Sequence, residues 1–342
     1  MVRKKTNIVV LMGGRSPEYN VSVASGIQVV KNLSKRKYDI FPIVVSPDGK
    51  TWHLSSPHPV LSLPNPLDPL VLPEDLVPAI RTSLSGLSQV KSPIDVVFVA
   101  MHGPHGEDGT VQGMLELAGV AYTGSGVLAS AIGMDKLVFR QLMNYHKILT
   151  PKYLSLKKAE PLSKIAKTLG KPPYFVKPHN QGSSVGNSIA RSRKELKRAL
   201  SLAWKYSEIA LVDEYIKGRE LTVGVIGGKK VRSLPIVEII PTVEFFDYKA
   251  KYQDDATQDI IPAKIDKKLT KEIQEIAIKV FNELGCRGVA RVDFILKGRK
   301  IYLLEINTIP GMTIMSLIPK AAKAAGISYS QLLDTIIKDA TR

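Results

Sequence analysis

Residues 288–316 read Gly-Val-Ala-Arg-Val-Asp-Phe-Ile-Leu-Lys-Gly-Arg-Lys-Ile-Tyr-Leu-Leu-Glu-Ile-Asn-Thr-Ile-Pro-Gly-Met-Thr-Ile-Met-Ser. Two runs rich in Ile, Val, Leu and Phe, at 289–296 and 300–306, flank the turn Lys-Gly-Arg. This pattern is typical of two half-buried strands joined in a hairpin. A polar loop broken by Pro-Gly follows at 307–313, and loops at strand ends commonly carry binding groups. The stretch therefore predicts a hairpin with a binding loop at its end.

Three side chains with oxygen atoms lie on this hairpin. Asp293 is in the first strand, whereas Glu305 and Asn307 are two residues apart near the end of the second and share one face of it. Two carboxylates and an amide oxygen suit Mg²⁺, whose remaining positions phosphate oxygens and water can fill. Arg291 shares the face of Asp293 and would place a cation beside a phosphate or a developing anion. The alternative is a surface hairpin whose charges are merely solvated.

Length and composition narrow the class of protein. A chain of 342 residues predicts two or three domains, and 44% hydrophobic residues are typical of a globular protein. No apolar run reaches the roughly 20 residues that a membrane span needs. The basic start and the apolar run 7–12 lack the cleavage site of a signal peptide, and we expect a first buried strand there. Cys286 is the single cysteine, which excludes an intramolecular disulfide and fits the cytoplasm.

The net charge of +17 comes from 48 Lys and Arg against 31 Asp and Glu. Such an excess favours anionic partners such as nucleotides and phosphates. The basic residues are scattered, aromatic residues make up only 6%, and no nucleic-acid-binding motif occurs. We therefore expect solvated surface charge, and neither a nucleic-acid nor a membrane partner.

The N-terminal part predicts an α/β domain. Strand 7–12, a Gly-rich turn and a helix at 23–33 resemble the opening of a βαβ unit. Glu18, near the start of that helix, is either an anchor for a ligand ammonium group or a helix-capping carboxylate. The apolar strand 94–100 ends at a glycine-rich loop that contains His102, and ligands of open α/β sheets bind at such strand ends. The spacing of the acids and histidines in that loop fits no standard zinc site.

Two lysines of the central part stand out. The segment 122–136 leads into a predicted long helix, and Lys136, taken alone, would be a solvated helix lysine. Lys177 ends a short strand that runs into the loop Gly-Ser-Ser-Val-Gly at 182–186. A glycine–hydroxyl loop of this kind can fold over a phosphate, although it lacks the Gly-Lys-Ser/Thr ending of a Walker loop.

Several of these segments together resemble the D-alanine–D-alanine ligases of the ATP-grasp superfamily. The matching motifs are Gly-Gly-x-Ser-x-Glu at 13–18, His-Gly-x-x-Gly-Glu-Asp-Gly at 102–109, Val-Lys-Pro-x-x-x-Gly-Ser-Ser-Val-Gly at 176–186, Arg-Val-Asp-Phe at 291–294, Leu-Glu-Ile-Asn-Thr-Ile-Pro-Gly-Met-Thr at 304–313 and Ser-Leu-Ile-Pro at 316–319. Tyr19 and Asn20 depart from the family, which has a basic residue and a Glu there. The Pro-rich segment 55–78 matches weakly.

The resemblance implies a fold and an activity. The expected fold is α/β, with α+β character in the C-terminal half: an ATP-grasp fold preceded by a Rossmann-like domain. The expected domains are 1–124, 125–213 and 214–342. The implied reaction is ATP-dependent ligation of two D-alanines through a D-alanyl phosphate, for peptidoglycan precursors, by a homodimer. Two alternatives are D-lactate or D-serine as the second substrate, and a nucleotide- or nucleic-acid-binding module without turnover.

The resemblance also assigns roles to individual residues. It gives catalytic roles to Glu18, Ser183, Tyr252, Arg291 and Gly311, substrate contacts to His102, Lys251 and Ser316, ATP contacts to Lys136, Lys177, Asp213, Glu214, Ile216 and Glu220, and two Mg²⁺ ions, with Mn²⁺ as a substitute, to Asp293, Glu305 and Asn307. In this scheme Glu18 holds the amino group of the first D-alanine, and Ser316 binds the carboxylate of the second. Lys251 and Tyr252 belong to a mobile lid, and a Tyr at that place goes with D-alanine as acceptor.

Overall fold

The computed structural model describes residues 5–54, 94–158, 160–228, 230–241 and 257–341. In these residues the strands form three sheets, and each sheet has its own helices. The Pro-rich segment 55–78 and the predicted lid residues Lys251 and Tyr252 lie outside the described part. Among the described helices, none combines the length and the apolar character that a membrane span requires.

The first sheet follows the predicted α/β pattern. Its elements are β1 (Thr6–Gly13), α1 (Tyr19–Asn32), β2 (Tyr38–Val45), β3 (Trp52–Leu54), β4 (Val96–Val99) and α2 (Thr110–Leu117). The strand order is β3-β2-β1-β4, and β1 runs parallel to both β2 and β4. Successive residues of β1 point to opposite faces, so Val10 packs on the α1 side and Leu11 on the α2 side. Burial on both faces explains why this strand is an unbroken apolar run.

Two helices connect the first sheet to the second: α3 (Val127–Met134) and α4 (Lys136–Tyr145). Between these two helices the chain leaves the helical conformation at Asp135, and the helix predicted to follow residues 122–136 corresponds to α4. The Asp135 carboxylate accepts hydrogen bonds from the backbone N–H groups of Leu137 and Val138, both at 3.0 Å, and so caps α4. The break leaves Lys136 in the first turn of a new helix.

The second sheet is antiparallel. Its elements are β5 (Tyr153–Lys157), α5 (Ser163–Leu169), β6 (Tyr174–Pro178), β7 (Ser188–Ala190), α6 (Arg193–Ala203) and β8 (Ile209–Glu214). The strand order is β5-β8-β6-β7. Helices α5 and α6 pack on the face that carries Val176 and Val212. Lys177 and Asp213, one residue further along each strand, therefore lie on the opposite face.

The third sheet contains the predicted hairpin. Its elements are β9 (Arg219–Ile226), β10 (Arg232–Ser233), β11 (Val237–Pro241), β12 (Thr257–Ile260), α7 (Lys267–Glu283), β13 (Val289–Lys297), β14 (Lys300–Asn307), α8 (Leu317–Ala324) and α9 (Tyr329–Ala340). The strand order is β12-β11-β9-β13-β14, with β10 beside β9. Strands β13 and β14 pair antiparallel, and Asp293 lies opposite Glu305. The hairpin is therefore confirmed, with its two carboxylates on neighbouring strands.

The C-terminal helices α8 and α9 return to the first sheet. Leu332 and Ile336 of α9 share one hydrophobic core with Val30 of α1 and Phe98 of β4. Each predicted domain range contains one sheet, but the last two helices cover the sheet of the first range. The division at 1–124, 125–213 and 214–342 stays a prediction.

We expect the change Leu332→Ala to destabilise the protein by about 2–5 kcal/mol, because Leu332 is fully buried where α9 meets the first sheet. Thermal or urea unfolding measures this loss. Lys338→Ala, on the exposed side of the same helix, is the matched control and should stay within about 0.5 kcal/mol of the parent. Equal stabilities for the two variants would contradict the packing described for α9.

Candidate active site

A cavity of about 800 Å³ lies between the loops of the first sheet and the facing surfaces of the second and third sheets. Every predicted site residue that the structure describes lines it. These residues are Glu18, His102, Lys136, Lys177, Ser183, Asp213, Glu214, Ile216, Glu220, Arg291, Asp293, Glu305, Asn307, Gly311 and Ser316. They come from all three predicted domain ranges, so the fold converges on this one space.

Glu18 lies where two glycine loops meet. Its carboxylate accepts a hydrogen bond from the Ser183 hydroxyl, and its side chain makes no capping bond to α1. The helix-capping interpretation is therefore wrong. A Cβ atom added to Gly103 or to Gly182 would lie 2.6 Å from Glu18 Oε2, so both loops depend on glycine to approach the carboxylate this closely. Ser183 has a positive φ of 46°, which turns the loop toward Glu18.

His102 connects the first sheet to the loop after β14. Its Nδ1 lies 2.9 Å from the carbonyl oxygen of Ile309, and its Nε2 lies 3.0 Å from Ser25 Oγ. Ser25 Oγ also accepts a hydrogen bond from the backbone N–H of Met312 at 3.1 Å. His102 and Ser25 thus hold the loop at both ends. Ser25, on α1, was missed by the sequence reasoning, because nothing local links it to residues almost three hundred positions away.

The ionisation of His102 follows from its surroundings. Burial lowers the pKa of His102, but the carboxylates of Glu107 and Glu18 outweigh that effect, so the pKa lies above its usual value. The nearest carboxylate oxygen, Glu107 Oε1, lies 3.7 Å from His102 Nδ1. These carboxylates therefore favour protonation of His102 more than water would.

Lys136 reaches across the cavity from the first turn of α4. Its Nζ donates to the carbonyl oxygen of Gln181 at 2.9 Å and lies 3.1 Å from Glu305 Oε2. The lysine is 7% exposed, so the interpretation as a solvated helix lysine is wrong. Lys136 joins the Gly-Ser-Ser loop of the second sheet to the hairpin of the third.

The hairpin holds its acids in contact with cations. Asp293 accepts hydrogen bonds from Arg291 Nε at 3.0 Å, from Arg291 Nη2 at 2.9 Å and from the Thr222 hydroxyl at 2.5 Å. Burial lowers the pKa of Arg291, but the charge of Asp293 outweighs this and raises it. The Asn307 side-chain oxygen accepts from the backbone N–H of Ile309 at 3.1 Å.

The donor set of the hairpin fits a hard cation. Asp293 and Glu305 are register partners on neighbouring strands, and Asn307 lies two residues beyond Glu305 on the same strand. Within the described residues, no group of three or more His, Cys, Asp or Glu side chains is arranged for a metal, so a site here depends on the amide oxygen of Asn307 as well. Oxygen donors of this kind suit Mg²⁺ and Mn²⁺ rather than softer metals.

Lys177 and Asp213 form a buried cluster with a third residue, Arg140. Lys177 Nζ lies 3.1 Å from Asp213 Oδ2, and Arg140 donates to both Asp213 oxygens at 2.5 and 2.9 Å. Burial raises the pKa of Asp213, but Arg140 and Lys177 outweigh it and lower the pKa, so the carboxylate is ionised. The sequence reasoning missed Arg140, although its spacing of four residues from Lys136 puts the two on one face of a helix.

The strand end beyond this cluster supplies a partly apolar wall. Ile216 is 7% exposed and, like Phe175 and Pro151, lines the cavity. The Glu214 carboxylate accepts from the backbone N–H of Lys152 at 2.8 Å. Glu220, on β9, lines the same region. The assigned contacts of Asp213, Glu214, Ile216 and Glu220 with ATP stay predictions.

Ser316 and Gly311 shape the other end of the cavity. Ser316 is the N-cap residue of α8, and its hydroxyl accepts from the backbone N–H of Thr313 at 3.0 Å. A Cβ atom at Gly311 would lie 2.9 Å from Ser316 Oγ, so the loop fits this serine only with glycine there. The N-terminus of a helix favours a negative charge, which makes this end of the cavity suitable for a carboxylate.

Three sheets around a cleft that holds paired lysines and carboxylates define the ATP-grasp class of protein, as the sequence resemblance implied. Comparisons with known proteins narrow the class. The family model "D-ala D-ala ligase N-terminus" matches residues 7–125, and "D-ala D-ala ligase C-terminus" matches residues 141–338. A D-alanine–D-alanine ligase of Syntrophobacter fumaroxidans is 40% identical over 342 residues, covering 99% of this chain and 98% of that protein. The chain belongs to the D-alanine–D-alanine ligase family.

Solved structures agree with this membership. A D-Ala:D-Ser ligase from Enterococcus faecalis superimposes with a TM-score of 0.83 and 32% identity, covering 98% of this chain and 99% of that one. A D-alanine–D-alanine ligase from Bacillus anthracis complexed with ATP superimposes with a TM-score of 0.77 and 35% identity, covering 98% and 97%. The predicted fold class is confirmed.

Lys177 gives the site a pH-dependent stability. Burial lowers its pKa first, and Arg140 lowers it further, to about 8 from the ordinary 10.5. The folded protein therefore releases this proton near pH 8, whereas the unfolded chain keeps it until about pH 10.5. The buried charge of Lys177 therefore lowers the free energy of unfolding by its full amount below about pH 8. This loss disappears as the pH rises from about 8 to about 10.5.

We expect the free energy of unfolding of the wild type to increase relative to that of Lys177→Met between about pH 7 and about pH 10, by up to about 3 kcal/mol. Urea unfolding at a series of pH values measures the difference. Lys205→Met, which removes an exposed lysine of the same sheet region, is the control and should show no such trend. A flat difference for Lys177→Met would contradict the lowered pKa.

Proposed function

We propose that this protein joins two D-alanine molecules into D-alanyl-D-alanine at the expense of ATP, as a step in making peptidoglycan precursors in the cytoplasm. The single observation that carries the proposal is the convergence of the family's motif residues on one cavity. Residues from all six motifs, spread from Glu18 to Ser316, line it together. A binding module without turnover would not need both the acids of the hairpin and the lysines that face them.

The first D-alanine fits the pocket around Glu18. The buried carboxylate, held by Ser183 between two glycine loops, would accept the ammonium group. His102 lines the same pocket and would contact the carboxylate of the first D-alanine. Its contact with the carbonyl oxygen of Ile309 also holds the loop that carries Gly311. The substrate's carboxylate is then directed toward the phosphates.

ATP fits the space between the second and third sheets. Lys136 and Lys177 would bind its phosphates, Glu220 the ribose, and the segment Asp213–Ile216 the adenine. Asp293, Glu305 and Asn307 would hold the two Mg²⁺ ions, which supply charge neutralisation of the phosphates when bound. Lys136 lies beside Glu305 and Lys177 beside Asp213, so both lysines and the metal ions would place positive charge around the transferred phosphoryl group.

The reaction then has two balanced steps. A carboxylate oxygen of the first D-alanine forms a bond to the γ-phosphorus, the bond from phosphorus to the β,γ-bridging oxygen breaks, and ADP leaves. The ammonium group of the second D-alanine loses one proton to solvent, and its amine then forms a bond to the acyl carbon. The C–O bond to phosphate breaks, and phosphate leaves with that electron pair and takes up the second proton from the nitrogen. Arg291 and the backbone N–H of Gly311 would stabilise the oxyanion between these events.

The acceptor end determines which product forms. The Ser316 hydroxyl at the start of α8 would bind the carboxylate of the second D-alanine. Lys251 and Tyr252 would close over the site, with Tyr252 favouring D-alanine over D-lactate. A D-serine acceptor is the second candidate, because one similar solved structure is that of a D-Ala:D-Ser ligase.

The decisive assay measures phosphate release from ATP and Mg²⁺ and identifies the products by mass. With D-alanine alone we expect D-alanyl-D-alanine, and with L-alanine no product. Glu305→Ala should lower kcat by about 100-fold or more, because it removes a predicted metal ligand and the partner of Lys136. Glu275→Ala, on the exposed side of α7, should leave the rate unchanged.

A competition assay identifies the preferred acceptor. Equal amounts of D-alanine, D-serine and D-lactate in one reaction should give mainly D-alanyl-D-alanine. A mixed product that ends in D-serine or D-lactate would overturn the acceptor assignment while leaving the ligase mechanism in place. ATP binding without any product would overturn the proposed activity itself.

The chain is further proposed to act as a homodimer. Helices α2 and α3, which pack against each other, expose Leu117 and Leu128 at 94% and 70%. Large exposed apolar side chains on two neighbouring helices are typical of a subunit interface. This surface is separate from the cavity.

We expect the double change Leu117→Glu and Leu128→Glu to weaken dimerisation by about 10-fold or more, because charges would enter a desolvated interface. Light scattering over a range of protein concentrations measures the mass. Tyr145→Glu, a similar change at an 81% exposed residue, is the control. A dimer of unchanged strength would exclude this surface as the interface.

A further inference from the structure

Arg140 is a fully buried cation that the proposed mechanism does not use. It is 0% exposed, and α4 carries it one turn beyond Lys136. Its guanidinium group lies 5.4 Å from the ring centre of Tyr153, and both of its terminal nitrogens bind Asp213. A buried arginine is costly unless its charge is matched, and here the match is the same carboxylate that contacts Lys177.

The charges of this cluster do not cancel. Arg140 and Lys177 are two cations, and Asp213 is the one carboxylate that both of them contact. The two terminal nitrogens of Arg140 donate to both carboxylate oxygens of Asp213, whereas Lys177 contacts only Oδ2. The arginine therefore satisfies most of the charge of Asp213, and the lysine is left with a positive charge that no carboxylate fully matches.

We propose that Arg140 is a positioning residue that neutralises Asp213 and thereby reserves the charge of Lys177 for the phosphates of ATP. The proposal rests on the proposed function, in which Lys177 binds those phosphates. Lys177 is 5% exposed and lines the cavity, whereas Arg140 does not reach it and acts through Asp213. Without Arg140, Asp213 and Lys177 would form a neutral pair, and the cavity would lose one positive charge toward ATP.

The electrostatics of Lys177 agree with this assignment. Burial is the largest influence lowering its pKa, and Arg140 is the next; Asp213 and Glu305 raise it, and Lys136 lowers it. These groups face Lys177 from α4, β8 and β14. Removal of Arg140 leaves Asp213 free to stabilise the protonated lysine, so the pKa of Lys177 should rise while its attraction for phosphate falls.

The test measures ATP binding by calorimetry in the full-length protein, in the presence of Mg²⁺, from about pH 7 to about pH 9.5. For the wild type we expect affinity to fall as the pH passes the region where Lys177 loses its proton. For Arg140→Met we expect affinity about 10-fold lower at neutral pH, with the fall displaced to higher pH. Arg140→Lys should bind ATP more tightly than Arg140→Met, because a lysine restores the positive charge but not the two-point contact with Asp213.

A double change separates neutralisation from packing. If Arg140 serves to neutralise Asp213, then adding Asp213→Asn to Arg140→Met should raise the ATP affinity above that of Arg140→Met, and Asp213→Asn alone measures any loss from the assigned adenine contact. The double variant also removes the lone buried carboxylate, so it remains informative where Arg140→Met folds poorly. Arg219→Met, which breaks another two-point arginine–carboxylate contact with Glu238, should lower stability without moving the pH dependence.

The outcomes are distinct. Lower melting temperatures with unchanged ATP affinity in both Arg140 variants would overturn the proposal and leave Arg140 a packing residue, and so would a double variant no better than Arg140→Met. In steady-state assays with saturating D-alanine, the proposal predicts a change in KM for ATP larger than that in kcat. Failure of the wild type to make product, with ATP binding intact, would overturn the proposed function alone, because calorimetry needs no turnover.

Discussion

The pairing of buried charges constrains this cavity more than any other interaction. Ionised groups taken out of water are costly unless each one meets an opposite charge or several hydrogen bonds. In the described cavity the buried charged groups have such partners, and the contact of Lys136 on α4 with Glu305 on β14 joins distant parts of the chain. This contact links α4 to the hairpin of the third sheet, so charges assigned to the chemistry also hold parts of the protein together.

Two connections join the first sheet to the part of the cavity that the hairpin forms. His102 and Ser25 hold the loop that carries Gly311, and therefore the end of the hairpin moves with the first sheet. Helices α8 and α9 extend that connection, because they start beside Ser316 and finish in the core of the first sheet. The two ends of the chain thus share one core, and the substrate pocket lies along their contact.

Local sequence patterns predicted the elements well and the long-range pairs poorly. The hairpin of β13 and β14 followed from apolar runs around a turn, and the placement of Asp293 and Glu305 followed from alternation along strands. Arg140 and Ser25 could not be found in this way, since their partners are 73 and 77 residues distant in the chain.

The partners of the cations indicate how the cavity accommodates a highly charged nucleotide. Lys136 and Arg291 are bound to Glu305 and Asp293, the two carboxylates assigned to metal ions, so these cations are the ones most easily transferred to a phosphate or an oxyanion. Lys177 differs, because Asp213 is not an assigned metal ligand and stays paired with Arg140. The cavity therefore contains cations of two kinds. In the proposed mechanism, Lys136 and Arg291 would exchange partners when substrates bind, whereas Lys177 would keep its contact with Asp213.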